Sequence, residues 1–402
     1  MLAALALAAV AGCATSVPAA ATSVPAAGWH AENSGTTSTL YDVGCLTASH
    51  CFAVGDVSAT AGSATGGSAT AGGTLLATAD GGRTWSREAS LTAAPLYRIA
   101  CAPPASCYVI ARPGIILVTH DAGVHWATRT LPVDVPGLAL AGCVIGDGTS
   151  PQGETPCQLG LLDISCPNAL TCYVVATLSG GYGTEPVSQA PGAGAGSSLW
   201  LTRDGGVTWT RQPIPSGVVC NGDCGAPYGY PLEWVSCAPS GPCWAGGNHL
   251  VGSHEGFAAA LLMTPAPGGS WRLVPGCSAG HPCSEPVTDV GACPASTGCY
   301  AVNNSNPFGD GSSTISRYTA TGQNGPNVTA PGGLFIGDIT CPAAHTCFTA
   351  GAGGVILRTT DGTRFTRVNA PGRENLNGIT CVTASVCYAV GAAGTIEALG
   401  GG

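Results

Sequence analysis

Seven times along this chain a cysteine is followed six positions later by a second cysteine and then by an aromatic residue. The pairs begin at Cys45, Cys101, Cys166, Cys237, Cys293, Cys341 and Cys381, and the aromatics are Phe52, Tyr108, Tyr173, Trp244, Tyr300, Phe348 and Tyr388. A second pattern, Thr-x-Asp-x-Gly-x-x-Trp, follows cleanly at Thr78 to Trp85, Thr119 to Trp126 and Thr202 to Trp209. It is worn at Thr264 to Trp271, where Ala266 replaces the Asp, and one residue short at Thr359 to Phe365. From the aromatic to the next cysteine there are sixteen residues in Trp29–Cys45, Trp85–Cys101 and Phe365–Cys381. A unit of four short strands recurring every forty or more residues is the signature of a propeller. The expected fold is therefore an all-β, seven-bladed β-propeller. Trp29 stands where other units have their outermost strand, and the seventh unit has only three strands of its own, ending near Ile396. The N-terminal segment is expected to complete that blade, which closes the ring and removes free sheet edges.

The Thr-x-Asp-x-Gly-x-x-Trp pattern resembles the Asp box of sialidases, sortilin-type receptors and photosystem II stability-factor-like propellers. The resemblance covers residues 28 to 402 and implies a fold and a turn, not an activity. In those families the Asp accepts turn amides and the Trp packs between strands. The resemblance gives those structural roles here to Asp80, Trp85, Asp121, Trp126, Asp204 and Trp209, with Asp361 as a weaker match.

Only 9% of residues are charged, and there are 61 Gly and 30 Pro, which suits short strands and many turns rather than long helices. A net charge of −9 with no basic stripe argues against nucleic-acid binding. The 21 cysteines indicate an oxidising compartment. The repeat pairs fourteen of them as Cys45-Cys51, Cys101-Cys107, Cys166-Cys172, Cys237-Cys243, Cys293-Cys299, Cys341-Cys347 and Cys381-Cys387. Three more pairs lie inside insertions: Cys143-Cys157, Cys220-Cys224 and Cys277-Cys283. Zinc is the rival reading, but the five-residue gap is wider than usual ligand spacing and few histidines are near. Cys13 is left over. The segment 1–12 with Cys13 resembles the signal peptide and lipobox of bacterial lipoproteins, in which that cysteine carries the lipid. Residues 13–27 contain ATSVPAA twice and read as a semi-extended tether. The propeller is assigned to 28–402. The expected location is the cell envelope, attached to the membrane only through Cys13, with plain secretion as the alternative.

Strands alternate in direction, so cysteine hairpins and Asp turns share one face of the ring. Insertions fall on the other. From the second cysteine to the turn Thr, two units need only twelve residues, but the first needs 27, the third 30 and the fourth 21. The links Trp126–Cys166, Trp209–Cys237 and Trp271–Cys293 are also lengthened, to 40, 28 and 22 residues, and they carry the extra cysteine pairs. Elaborated loops on a rigid scaffold commonly carry binding, so a partner is expected over blades three to five. Candidate contacts there are Tyr182, Tyr228, Tyr230 and, above all, Trp234. Three residues before each hairpin, the innermost strand carries Asp42, Arg98, Asp163, Trp234 and Asp338, with Asp289 one residue further back in its unit. Residues in register around a ring face alike, so this column is expected to line or approach the channel. A ring of carboxylates suits a hard cation; the competing reading is an Asp that anchors neighbouring blades. No cofactor is otherwise indicated.

The sequence points to a monomeric, non-catalytic binding or scaffold protein for a protein or glycan partner. The alternative is a sialidase-like glycoside hydrolase. Tyr97-Arg98-Ile99-Ala100 is similar to the N-terminal Tyr-Arg-Ile-Pro of sialidases, but those enzymes clamp the substrate carboxylate with three arginines. Arg98 is the one arginine in the inner-strand column.

Overall fold

The computed structural model describes residues 28–57, 72–89, 91–111, 114–132, 157–180, 197–215, 232–239, 241–250, 257–274, 290–295, 298–304, 313–323, 327–330 and 334–400. They form seven antiparallel sheets arranged as the blades of a propeller. The innermost strands are Leu40–Cys45, Leu96–Ala102, Cys157–Ser165, Trp234–Cys237, Val290–Ala295, Ile336–Ala343 and Leu376–Thr383, for blades one to seven. Six blades are built from consecutive strands. The seventh takes three strands from the C-terminal segment and its outermost, Trp29–Glu32, from the N-terminal one. That strand pairs antiparallel with Ile396–Leu399, Trp29 opposite Leu399 and Glu32 opposite Ile396.

The seven repeat cysteine pairs are disulfides, one to a blade, with Cα atoms 4.0–4.2 Å apart. Cys45 stands directly opposite Cys51 in the ladder, as do Cys101 and Cys107, Cys237 and Cys243, and Cys381 and Cys387. Directly opposed residues at a close-spaced position of an antiparallel pair suit a short cross-strand link. Each closes a small loop, worth roughly 2 kcal/mol on the loop-entropy account. The proposed pairs Cys143-Cys157, Cys220-Cys224 and Cys277-Cys283, and Cys13, lie outside the described residues or rest on them in part.

The apolar core is divided among seven seams, each between two adjacent blades, including one between blades seven and one. The aromatic after each hairpin builds the seam. Phe52 of blade one meets Trp126 of blade two edge to face at 5.7 Å, Tyr173 meets Trp271 at 5.3 Å, and Tyr388 of blade seven meets Trp85 of blade one at 6.1 Å. Such pairs contribute about 0.5–1.5 kcal/mol beyond the area they bury. Trp29 takes the same position, 6.3 Å from Phe348 of blade six, so the N-terminal strand supplies the aromatic that the seventh blade would otherwise lack.

The Thr-x-Asp-x-Gly turns lie on the hairpin face. In each, the Thr hydroxyl donates to the Asp and accepts an amide from the turn: Thr119 Oγ1 donates to Asp121 Oδ1 at 2.8 Å and accepts from the Gly123 amide at 2.9 Å. Asp121 also accepts from the His125 amide, and Asp80 and Asp204 accept from Thr84 and Thr208 in the same manner. Asp361 repeats the arrangement one residue shorter, accepting from the amides of Thr363 and Arg364. Gly123 has a φ of +90°, and a side chain there would strike Phe52, so the glycine is required by both the backbone and the seam.

Candidate binding site at the channel mouth

Five innermost strands carry a β-bulge at the same place. The ladder shifts between Leu40 and Asp42, Leu96 and Arg98, Leu161 and Asp163, Ile336 and Asp338, and Leu376 and Gly378. The extra residues are Tyr41, Tyr97, Leu162, Gly337 and Asn377, and all five line one cavity of about 300 Å³ at the mouth of the channel. Bulges re-aim side chains at the rims of closed sheets. Here they turn the residue four before each hairpin cysteine toward the mouth. Arg98, Leu161 and Phe335 complete the wall. Tyr41 and Tyr97 stack at 5.3 Å, 20° from parallel, while Phe335 is 53% exposed.

The column three before the cysteine has another task. Asp42 Oδ1 accepts the amide of Val43 at 2.8 Å, and its Oδ2 accepts the amide of Ile99 in blade two at 2.9 Å. Asp338 does the same with Ile339 and, across to blade seven, Ile379. Asp163 accepts from Val235 of blade four at 2.8 Å. These carboxylates latch neighbouring blades by capping backbone donors that no ladder satisfies. Burial pushes Asp42 up to about 7 and Asp163 up to about 6, and it raises Asp338 also; the Arg98 guanidinium opposes the rise in all three.

Arg98 breaks the column. Its Nε lies 4.0 Å from Asp163 Oδ1, too far for a hydrogen bond, and its side chain is 26% exposed. Its terminal nitrogens have no hydrogen-bond partner among the described residues. Trp234 departs from the expected role. It is 1% exposed and wedged between blades, its ring so close to Gly246 and to Gly291 of blade five that a β-carbon at either would lie 2.5–2.6 Å from it. Where blades one, three and six use an Asp latch, blade four uses an indole packed on glycine, and that indole presents no surface to a partner. Tyr182, Tyr228, Tyr230 and Asp289 lie outside the described residues. Among the described residues no group of three or more His, Cys, Asp or Glu is placed to hold a metal ion, and no helix is long and apolar enough to cross a membrane. A cation ring at the mouth meets a physical obstacle, since the latch oxygens face amides and the one charged group in the cavity wall is a guanidinium.

The site residues that sequence reasoning passed over are Tyr41, Leu162, Gly337, Asn377, Leu161 and Phe335. A column drawn four residues before each cysteine, instead of three, contains the first four.

No family model and no curated protein matches this chain. Solved structures do. YCF48 bound to D1 peptide is similar over 92% of this chain and 96% of its own, with 15% identity and a TM-score of 0.57. YCF48 from Cyanidioschyzon merolae is similar over 93% and 98%, with 16% identity and a TM-score of 0.54. A streptogramin B lyase is similar over 93% and 97%, with 11% identity and a TM-score of 0.53. At these identities the likeness establishes the seven-bladed propeller fold and nothing finer.

Proposed function

We propose that this chain is an extracytoplasmic propeller, anchored through a lipid on Cys13, that binds a protein partner at the channel mouth without chemically altering it. One observation carries the reading: bulges in five blades bring Tyr41, Tyr97, Leu162, Gly337 and Asn377 to the same mouth. Bulges interrupt the ladder and are common next to binding sites, so their convergence on one cavity supports a surface shaped for contact. The wall supplies stacked tyrosines, an exposed phenylalanine and one guanidinium, the residue types that dominate protein interfaces. That a propeller of this fold, YCF48, is bound to D1 peptide supports a polypeptide over a glycan as the partner. The seven disulfides support an oxidising compartment. A sialidase-like clamp has less support, because Arg98 is the one arginine in the described cavity wall.

Photo-crosslinking in the native envelope tests both faces of the ring. A photoreactive residue at Phe335, on the mouth face, is expected to capture the partner, and one at Val124, 72% exposed in a turn of the hairpin face, is not. Capture from Val124 alone refutes the assignment. Cys13→Ser is expected to release the protein from membranes, and retention refutes the anchor.

A further inference from the structure

Arg98 sits in an unusual setting for a propeller channel. It is largely enclosed, and its guanidinium carries five N–H donors, yet its nearest ionic contact is at 4.0 Å. The three carboxylates around it do not use those donors. Asp42 and Asp338 direct both oxygens at backbone amides, and Asp163 directs Oδ2 at Val235. None of the three is in the cavity wall, whereas Arg98 is. Besides Arg98 the wall holds Tyr41, Tyr97, Leu161, Leu162 and Phe335, with Gly337 and one neutral polar residue, Asn377, whose side-chain amide donates to the Leu40 carbonyl. A cavity of about 300 Å³ is at the lower end of those that hold small ligands. A mainly apolar and aromatic pocket with a single cation and unspent planar donors in its wall matches an acid group on an apolar body, with the carboxylate on the guanidinium in a paired hydrogen-bond arrangement.

We propose that the channel mouth is a carboxylate-binding subsite, in which Arg98 holds the acid group and Leu161, Leu162, Tyr97 and Phe335 enclose the apolar part. The carboxylate belongs either to the C-terminal residue of a polypeptide or to a small free organic acid. The subsite deepens the reading of the mouth as the binding face and rests on it.

The test is calorimetric titration of the full chain with two matched pairs of probes. One pair is an N-acetylated tetrapeptide ending in Phe, as free acid and as C-terminal amide. The other is benzoate and benzamide. The expected result is that at least one acid binds about tenfold or more tightly than its amide, since a charge-assisted pair on an enclosed guanidinium is lost with the amide. Preference confined to the peptide pair assigns the site to a chain terminus, and preference in both pairs assigns it to free acids as well. Arg98→Gln is expected to abolish the acid preference and Arg98→Lys to retain part of it. Because Arg98→Gln also strips a counter-charge from the channel, Phe335→Ala serves as a second variant: its side chain is exposed, so it is expected to fold normally and to weaken both acids without erasing their preference over the amides. Equal binding of acid and amide, or no binding of any probe at millimolar concentration by the native chain, overturns the subsite. Partner capture through residue 335 that survives Arg98→Gln then leaves the binding face standing without it, so the two failures are separable.

Discussion

Asp42 at the channel and Asp121 in an outer turn do the same work, each accepting hydrogen bonds from groups that fix a piece of backbone. Their acidities move in opposite directions. The amide and ring of His125, with the Thr119 hydroxyl, hold Asp121 down to about 2, and Asp204 is held at about 2 by Thr208 in the same way. Asp42 accepts comparable bonds and is raised to about 7. The difference is water. The turn carboxylates are bathed in solvent, so their hydrogen bonds add to an already hydrated charge. The channel carboxylates have lost hydration that two amides and a shared guanidinium do not replace. Identical local motifs thus give a strong acid on one face and a weak one at the centre.

The largest expected effect comes from deleting the inner acceptor. Asp42→Ala leaves the amides of Val43 and Ile99 without partners in a buried seam, and it should cost roughly 3 kcal/mol in urea unfolding. Asp121→Ala, whose donors can turn to water, should lower Tm by only about 1–3 °C. If the two losses are equal, the contrast between the rings is wrong.

The next effect is on pH dependence. A carboxyl whose folded pKa is raised binds its proton more tightly in the native state, so its contribution to stability falls as pH rises from the unfolded value through the folded one. For Asp42 and Asp163 that window runs from about 4 to about 6–7. Tm is therefore expected to decline between pH 5 and pH 8, and Asp42→Asn should flatten part of the decline. The turn carboxylates behave oppositely: their contribution is complete above about pH 4 and lost as pH falls through about 2. A Tm that rises from pH 5 to pH 8 contradicts the assignment for the inner ring.

The smallest effect is the most specific. Arg98 lowers the pKa of Asp42, Asp163 and Asp338 alike. Arg98→Gln should shift their carboxyl carbon resonances to titrate at higher pH and leave Asp121 and Asp204 unmoved. A shift in the turn carboxylates would mean that the variant perturbs the whole ring.

The blade count, the hairpin disulfides and the closing strand were all legible, because each depends on residue spacing alone. Cys-x₅-Cys fixes a hairpin, and the sixteen residues before Cys45 place Trp29 as firmly as those before Cys101 place Trp85. The mouth was legible only in part. Counting back three residues from the cysteine stays within an unbroken stretch of ladder, Asp42 to Cys45 in blade one, and ends on a residue whose carboxylate reaches the next blade. The bulged residue one step further back, Tyr41, Tyr97, Leu162, Gly337 or Asn377, is the one that lines the cavity, and a strict two-residue alternation does not single it out. No composition signal marks such a bulge, since its occupants range from Gly to Tyr. Trp234 misled for a related reason: a large aromatic in a column of Asp reads as a binding residue, but two glycines, Gly246 and Gly291, leave room to bury it.

The pairing of Trp29 with Leu399 has a mechanical consequence. The two strands run antiparallel with residues 28 and 400 at the same end of the pair, so force applied between the termini loads its hydrogen bonds one after another, from Trp29 toward Glu32. The ring is therefore weakest in tension at its own clasp: a steady pull should peel the first strand away before any disulfide-bound hairpin yields, opening the seventh blade while the other six hold.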